Sequence, residues 1–464
     1  MASIRAASGA RERVTLGACI VPLVCALSCL LGVCSVSRGA DWPQYGGPNR
    51  NGISAETGLA RSWPEGGPKV LWTAPLGKGF GGMAVRDGEV FLLDRVGSKQ
   101  DVLRCFELAT GKQLWQAAFD APGTPSPSGS RATPAVDERF VFSVGPFGHF
   151  RCVDRKTHRV VWEKHFGRDF GAKQPRWGIA QNPLLYGDWV IVSPQGEKAG
   201  VAAFEKATGR VVWASPYLPG MASEVWQGSY SSPVIVRVGE ADHVVVLTAK
   251  VATKEGELVS KGQVAGISAK DGSVLWSYTG WQSEIPIPYP AVLEGGRVFA
   301  TGAYGGGSSL IQVSRAGDGF AAREVFKTME CGSQVQAPIA YGGHIYVCSN
   351  GKERKEGFMC LGLDGQVKWH TTNSKFVSKA KAGLPNLDRG NFLIADGLIF
   401  ILDGKQGDLR LLEASPRAYT ELAVAKGLLG EKGGRQLWAP MALSDGKLLI
   451  RDHACMKCLD VRKP

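Results

Sequence analysis

Residues 107–115 read ELATGKQLW, a tight turn followed by a short strand that ends on Trp115. The same grammar returns as DRKTHRVVW ending at Trp162, EKATGRVVW at Trp213, SAKDGSVLW at Trp276 and, shortened, LDGQVKW at Trp369. Ten positions before the first four tryptophans stand small residues, Cys105, Cys152, Ala203 and Gly266, and Cys360 stands nine before Trp369. A turn and an indole written five times mark an internal repeat, which outranks chain length as a guide to fold.

Upstream of each copy lies a hairpin. Its turns are Asp87-Gly88, Asp137-Glu138, Gly187-Asp188, Gly239-Glu240, Gly295-Gly296, Gly342-Gly343, Asp396-Gly397 and Asp445-Gly446. Asp-Gly and Gly-Gly tolerate the positive φ of a two-residue hairpin loop. Each turn is followed by a run such as EVFLLD, RFVFSV or LIFILD, and most are preceded by a short strand opened by proline, as in TPAV, NPLL, SPVI and YPAV. Proline at a strand's first residue costs no ladder bond. The pattern predicts eight copies of a four-stranded unit at a period of about 50 residues, with no helical segment of any length. Copy eight stops at its third strand, CMKCLDVRKP, and PKVLWTAPL with Trp72 supplies the missing fourth. The expected fold is therefore all-β: an eight-bladed β-propeller of four-stranded antiparallel blades over residues 69–464, its ring closed by an N-terminal strand. An indole wedged between blades buries on the order of 200 Å², and its N–H then needs a partner.

Residues 1–40 carry Arg5, Arg11 and Arg13, an apolar run and a small-residue stretch, the layout of a secretory signal or an uncleaved anchor. Residues 41–68 form a lead-in. Export to the periplasm or cell envelope is expected. The net charge of +12 is spread, with no more than two basic residues adjacent, so nucleic acid is not the expected partner.

The A-x-[TD]-G-[KRS]-x-x-W grammar resembles the tryptophan-docking repeat of the pyrroloquinoline quinone (PQQ) dehydrogenase propellers. It equally resembles the BamB-type propeller lipoprotein of the outer-membrane assembly machinery. The opening DWPQYGGPNRNGISAETGLARSWPEGGPKVLW and FGAKQPRWGIAQNPL look closer to a group of exported PQQ-like propellers. The resemblance covers residues 41–464 and implies the fold. It leaves two activities open: a non-catalytic scaffold that binds an envelope protein or polymer, and a PQQ- and calcium-dependent dehydrogenase of alcohols or polymers. By the same resemblance Trp72, Trp115, Trp162, Trp213, Trp276 and Trp369 are structural docking residues.

Signals for chemistry are sparse. Cys105, Cys152, Cys360 and Cys458 share a repeat position that Ala203 and Gly266 also fill, so it selects a small buried group rather than a ligand. Cys455-Met-Lys-Cys458 lacks a second pair at zinc spacing, although a disulfide from Cys455 or between Cys331 and Cys348 suits an oxidising compartment. The seven histidines form no metal motif. GAYGGGSSL at 302–310 precedes no helix and is not read as a phosphate loop. Many PQQ enzymes would bring, by resemblance, an adjacent Cys-Cys pair and a carboxylate–amide set for calcium. Here Cys-Cys is absent, and Glu224, Glu284, Asn182 and Asn391 are a thin set for an ion that takes six or more oxygens. No catalytic residue and no metal ligand is therefore assigned, no cofactor is expected, and PQQ with calcium stands as the alternative.

What remains is the loop that leads into each blade's first strand, beside the channel. Arg131, Arg176, Trp177, Gln181, Asn182, Tyr230, Tyr289, Gln336, Asn391 and Trp438 are the candidate rim residues, with Ser231, Trp226, Trp281 and Gln334 beside them. The opposing reading makes their tryptophans caps that pack on proline. Trp177 is the strongest single candidate, because its loop is longer than the others. A monomer is expected.

Overall fold

A computed structural model describes residues 41–221, 228–253, 255–350, 357–371, 385, 387, 389–430 and 436–464. The signal-or-anchor segment, Glu224 and Trp226 lie outside them. Among the described residues the strands fall into eight sheets, the blades of one propeller. Blade one sets the pattern: Ala84–Arg86, Glu89–Val96, Gln100–Glu107 and Gln113–Asp120 pair antiparallel in chain order. Blades two to seven span residues 135–165, 184–214, 234–278, 291–328, 339–370 and 391–425. Blade eight joins Ala442–Ser444, Lys447–Arg451 and Cys455–Asp460 to Val70–Pro75, which pairs antiparallel with the last of them and sets Trp72 opposite Cys458. The ring is closed by the N-terminal strand.

The turns behave as their chemistry requires. Asp87 and Gly88 have φ 53° and 78°, and Asp445 and Gly446 have 54° and 62°. Both central residues at positive φ make the hairpin turn that matches strand twist. Asp137-Glu138 reaches the same result differently: Asp137 Oδ1 accepts from the Arg139 and Phe140 amides at 2.9 and 2.7 Å. Proline-opened strands begin immediately after Pro134, Pro183, Pro233, Pro290 and Pro338.

The core lies between blades. Phe142, Phe150 and Trp162 of blade two pack with Val190, Val192 and Phe204 of blade three. Phe358 and Trp369 of blade six pack with Phe392 and Ile399 of blade seven. Each junction buries apolar surface worth roughly 25 cal/mol per Å². The indoles reach forward onto the next blade. Trp72 Nε1 donates to Leu108 O at 2.9 Å, Trp162 to Lys206 O at 2.8 Å, Trp213 to Ala269 O at 3.0 Å and Trp369 to Ser415 O at 2.8 Å. A Cβ on the turn glycines Gly111, Gly209 and Gly272 would come within 2.5, 2.6 and 2.7 Å of the rings of Trp72, Trp162 and Trp213. Only a residue without a side chain admits a ring that close. Trp276 differs, donating to His243 Nδ1 within its own blade at 3.0 Å. Trp115 differs more: it stacks on His158, ring centroids 4.7 Å apart, and its N–H has no partner.

Two features depart from expectation. A five-residue helix, Phe166–Phe170, follows blade two, where no helix was expected. It is capped by His165 Nδ1, closed by Gly171 at φ 73°, and pinned by Phe170 against Phe204. One turn is too short to leave a periodic signal. The helix opens the long loop that carries Trp177.

The second feature is the lead-in, which crosses the channel. Trp42 bridges Val85 of blade one, Pro43 O accepts from Val136 of blade two, and Gln44 Oε1 accepts from Leu185 of blade three. Tyr45 meets Tyr289 of blade five edge-on at 4.9 Å. Gly52 abuts Ile339 of blade six, and Ile53–Ser54 adds a parallel strand to blade seven on Ile394–Ala395. Glu56 closes the circuit by accepting from the Asp445 and Gly446 amides of blade eight, both at 2.7 Å. Positive φ at Gly46, Gly47, Arg50 and Gly52 lets the segment coil in so little space.

Candidate functional site at the channel mouth

The lead-in makes the channel one-ended on the side of the leading loops. There a cavity of about 400 Å³ is floored by Tyr45 and walled by Phe80, Arg131, Trp177, Tyr230, Tyr304 and Trp438, with amide side chains between them. A wider recess of about 1110 Å³ opens on the opposite, hairpin-turn face beside Gln44 and Arg50. Within it Arg237 grips Asp242 at 2.7 Å, and Asp242 also accepts from Tyr186 at 2.9 Å. The smaller cavity is the one where aromatic faces converge.

One wall is a four-layer ladder drawn from four blades. The Arg131 guanidinium lies 5.8 Å from the Phe80 ring, Phe80 stacks on Trp438 at 5.7 Å and 27°, and the Arg389 guanidinium lies 5.6 Å from Trp438. The facing wall is Trp177 against Tyr230, centroids 5.5 Å apart. Phe80, Trp177 and Trp438 are half-buried, and what stays exposed of each lines the cavity. Arg131 donates to the carbonyls of Pro127 and Gly129, which fix its fork. Burial pushes it down to about 10, which leaves it cationic at neutral pH. Tyr230 is buried, and burial raises its hydroxyl. The Trp177 backbone approaches that hydroxyl without completing a hydrogen bond of good geometry.

Beneath the aromatic layer runs a girdle of buried amides. Asn182 Nδ2 donates to Ser232 Oγ at 2.8 Å, and its Oδ1 accepts from the Thr133 amide, joining blades two, three and four. Asn391 Nδ2 donates to Gln336 Oε1 at 2.7 Å, its Oδ1 accepts from Met441 N at 2.9 Å, and Gln336 Nε2 donates to Trp438 O at 3.1 Å. Gln181 Nε2 donates to Ser229 O at 3.0 Å, and Ser231 Oγ to Pro288 O at 2.9 Å. Arg50 fastens the lead-in to this girdle, donating to Pro183 O at 2.7 Å and Asn182 O at 2.9 Å. Its guanidinium is buried, 5.9 Å from the Tyr45 ring, and burial pushes it down to about 10.

Of the ten rim candidates, Arg131, Trp177, Asn182, Tyr230, Gln336 and Trp438 line the cavity. Gln181 and Asn391 are buried in the girdle, Tyr289 is buried against Tyr45, and Arg176 is exposed without lining the cavity. Trp281, weighed beside them, is fully buried and donates to Gly307 O at 3.1 Å. The reading of the loops missed Tyr45, Phe80 and Tyr304. Phe80 carried a usable signal, since GFGGMAV precedes blade one's first strand as SRATPAV precedes that of blade two.

A nucleophile–base pair is not among the described residues that line the cavity, and neither is a carboxylate. The described residues contain no group of three His, Cys, Asp or Glu placed to hold a metal. Calcium asks for six or more oxygens, several of them carboxylate, so the described donors do not fit a calcium–quinone pair. Burial raises the thiols of Cys105, Cys152, Cys360, Cys455 and Cys458, as befits small core residues at strand positions. No helix of the described residues is long and apolar enough to cross a membrane.

Comparison with known proteins agrees with this architecture. Residues 98–371 match the family model described as outer membrane protein assembly factor BamB. The structure resembles BamB from Moraxella catarrhalis with TM-score 0.54 and 13% identity, over 85% of this chain and 99% of that one. It resembles a europium-containing methanol dehydrogenase with TM-score 0.62 and 14% identity, over 89% of each chain. It also resembles the computationally designed protein Ika8, with TM-score 0.53 and 10% identity, over 85% of this chain and 100% of that one. At such identities the likeness shows fold alone, and a designed neighbour underlines that the ring itself is neutral as to chemistry. A search of curated protein sequences returns no significant match.

Proposed function

The chain belongs to the family of the outer membrane protein assembly factor BamB, and on that premise we propose that it is an exported, non-catalytic propeller of the cell envelope that holds a protein or polymer partner at its channel mouth. The observation that carries this reading is the one-ended aromatic cavity, floored by the chain's own lead-in and without a carboxylate among its described lining residues. Half-exposed tryptophans beside arginines suit recognition, whereas general acid–base chemistry needs a titratable side chain within reach of the bound molecule. In this reading the N-terminal segment directs export or tethers the protein to the membrane, and the propeller acts as a monomer.

A second reading is a quinoprotein-like dehydrogenase. It draws support from the aromatic rings of Trp177 and Trp438 that line one cavity together with Arg131, a set suited to a planar anion. The described donor set for calcium weighs against it.

Two measurements separate the readings. Replacing Trp177 and Trp438 together by Ala should abolish capture of envelope partners while costing no more than about 2 kcal/mol of unfolding free energy, since each ring is half-buried and loses only its ring–ring and cation–π contacts. A loss of several kcal/mol would make them caps. Incubation with PQQ and calcium, followed by absorbance and dye-linked alcohol oxidation, should give neither retained quinone nor turnover. Stoichiometric retention with turnover would overturn the scaffold reading.

A further inference from the structure

The chemistry of the cavity narrows the partner. Arg131 pairs with no carboxylate among the described residues, and two of its five donors are spent on the carbonyls of its own loop. Arg50, under the floor, likewise donates to carbonyls alone and leaves its Nε without a partner, so two positive charges flank a recess whose described lining offers no negative one. Tyr230 adds a hydroxyl, in a buried ring, whose hydrogen-bonding capacity the protein leaves unfilled. Around these polar groups stand Phe80, Trp438 and Trp177, each half-buried and lining the recess.

We infer that the mouth recognises an acidic peptide segment: a carboxylate set against Arg131 and the Tyr230 hydroxyl, with an adjoining aromatic or aliphatic side chain between the Trp177 and Trp438 walls. The inference rests on the partner-binding reading above and gives the partner a chemistry. Volume agrees, because a one-ended cavity of about 400 Å³ admits a few side chains of an extended segment and leaves the rest of the partner outside. Charge agrees as well. A carboxylate brought to an arginine that already sits over an aromatic ring gains a charge-assisted hydrogen bond where little water competes. A lysine-bearing segment would meet like charge with nothing in the described lining to offset it.

The test uses the full mature chain and three short peptides, acetylated, amidated and fluorescently labelled: Asp-Phe-Asp, Asn-Phe-Asn and Asp-Gly-Asp flanked by glycines. Fluorescence anisotropy should show the first binding at least tenfold more tightly than either of the others, and weakening as salt rises. Arg131→Gln should erase the preference of acid over amide and leave the preference for Phe over Gly. Trp177→Ala should do the reverse. Unchanged melting temperatures show that both variants fold. Should Arg131→Gln unfold the protein, Arg131→Lys, which keeps the charge and loses the planar fork, serves instead and should weaken acidic-peptide binding several-fold. Equal binding of the acidic and amide peptides, or tighter binding of a Lys-Phe-Lys control, overturns the inference. Either result, with envelope capture still lost in the Trp177/Trp438 double variant, leaves partner binding standing and removes only the acidic specificity. Loss of neither capture nor peptide binding in that variant removes both.

Discussion

At the circumference of the ring, Trp162 lies flat on Gly209 of the next blade, buried, its N–H donating to Lys206 O. At the axis, Trp438 lies between Phe80 and the Arg389 guanidinium and Trp177 leans on Tyr230, yet both are only half-buried and line an open cavity. The residue type is the same and the consequence opposite. An indole becomes structure when a turn without a side chain meets it and a carbonyl answers its N–H, and it becomes surface when neither does. The axis is held together by other means. Buried amides cross between blades two, three and four and between six, seven and eight, and a buried arginine ties the lead-in to them. The circumference is locked by apolar area, the axis by directional bonds.

The largest test of that division is Trp162→Ala. It removes an aromatic packed between Phe142, Phe150 and Phe204 and leaves Lys206 O unanswered. A loss of about 3–5 kcal/mol is expected in denaturant unfolding, with binding at the mouth unchanged in the folded fraction. Next comes Arg50→Ala at the axis. Two carbonyls of blade three lose a charged donor and the floor loses its anchor, so a loss of about 2–3 kcal/mol is expected, together with faster hydrogen exchange across residues 42–56. If Arg50→Ala cost as little as an exposed substitution, the lead-in would be an ornament rather than a plug.

Acid should weaken the fold through its buried histidines. Burial, aided by the neighbouring Arg451 and Lys78 charges and opposed by Asp452, pushes His453 from 6.5 down to about 4. His453 packs edge-on against Phe80 of the aromatic ladder, at 4.5 Å. His149 falls to about 4 chiefly for the same reason, beside Arg151 and His165. A histidine depressed in the fold binds its proton more readily once unfolded. Stability therefore declines as pH drops from about 6.5 toward about 4 and gains nothing from these groups above that window. Melting curves between pH 7 and 4 should show the fall, and His453→Gln should make it shallower.

Those sites also mark how far the sequence could be read. The ring was legible because its devices are local: Asp-Gly turns, proline-opened strands and a turn-to-indole spacing each sit within about ten residues. The closing strand was legible because blade eight visibly lacked one. The lead-in's path was not, since residues 42–56 find partners on seven blades, and no periodicity records contacts at such separations. The candidate site was half legible. Composition placed aromatics and amides in the leading loops, but only packing could show that Asn182, Gln336 and Asn391 spend their amides between blades while Phe80 and Tyr45 complete the cavity.

The junction between blades one and two offers the finest test, because it breaks the circumferential rule from within. The turn of blade two has His158 where blades one and three have Gly111 and Gly209, and His158 holds φ at 59°. A side chain in that slot keeps Trp115 stacked above the turn, 4.7 Å from the imidazole, and leaves its N–H unanswered. His158→Gly removes both the steric obstacle and the strain of a left-handed non-glycine residue, and it forfeits one ring–ring contact. If the glycine slot is what seats an indole, the variant should gain about 1 kcal/mol in stability, and the Trp115 indole proton should become protected from exchange as a new hydrogen bond forms. A loss of stability would mean that stacking on His158 outweighs the seating seen at Trp72 and Trp162.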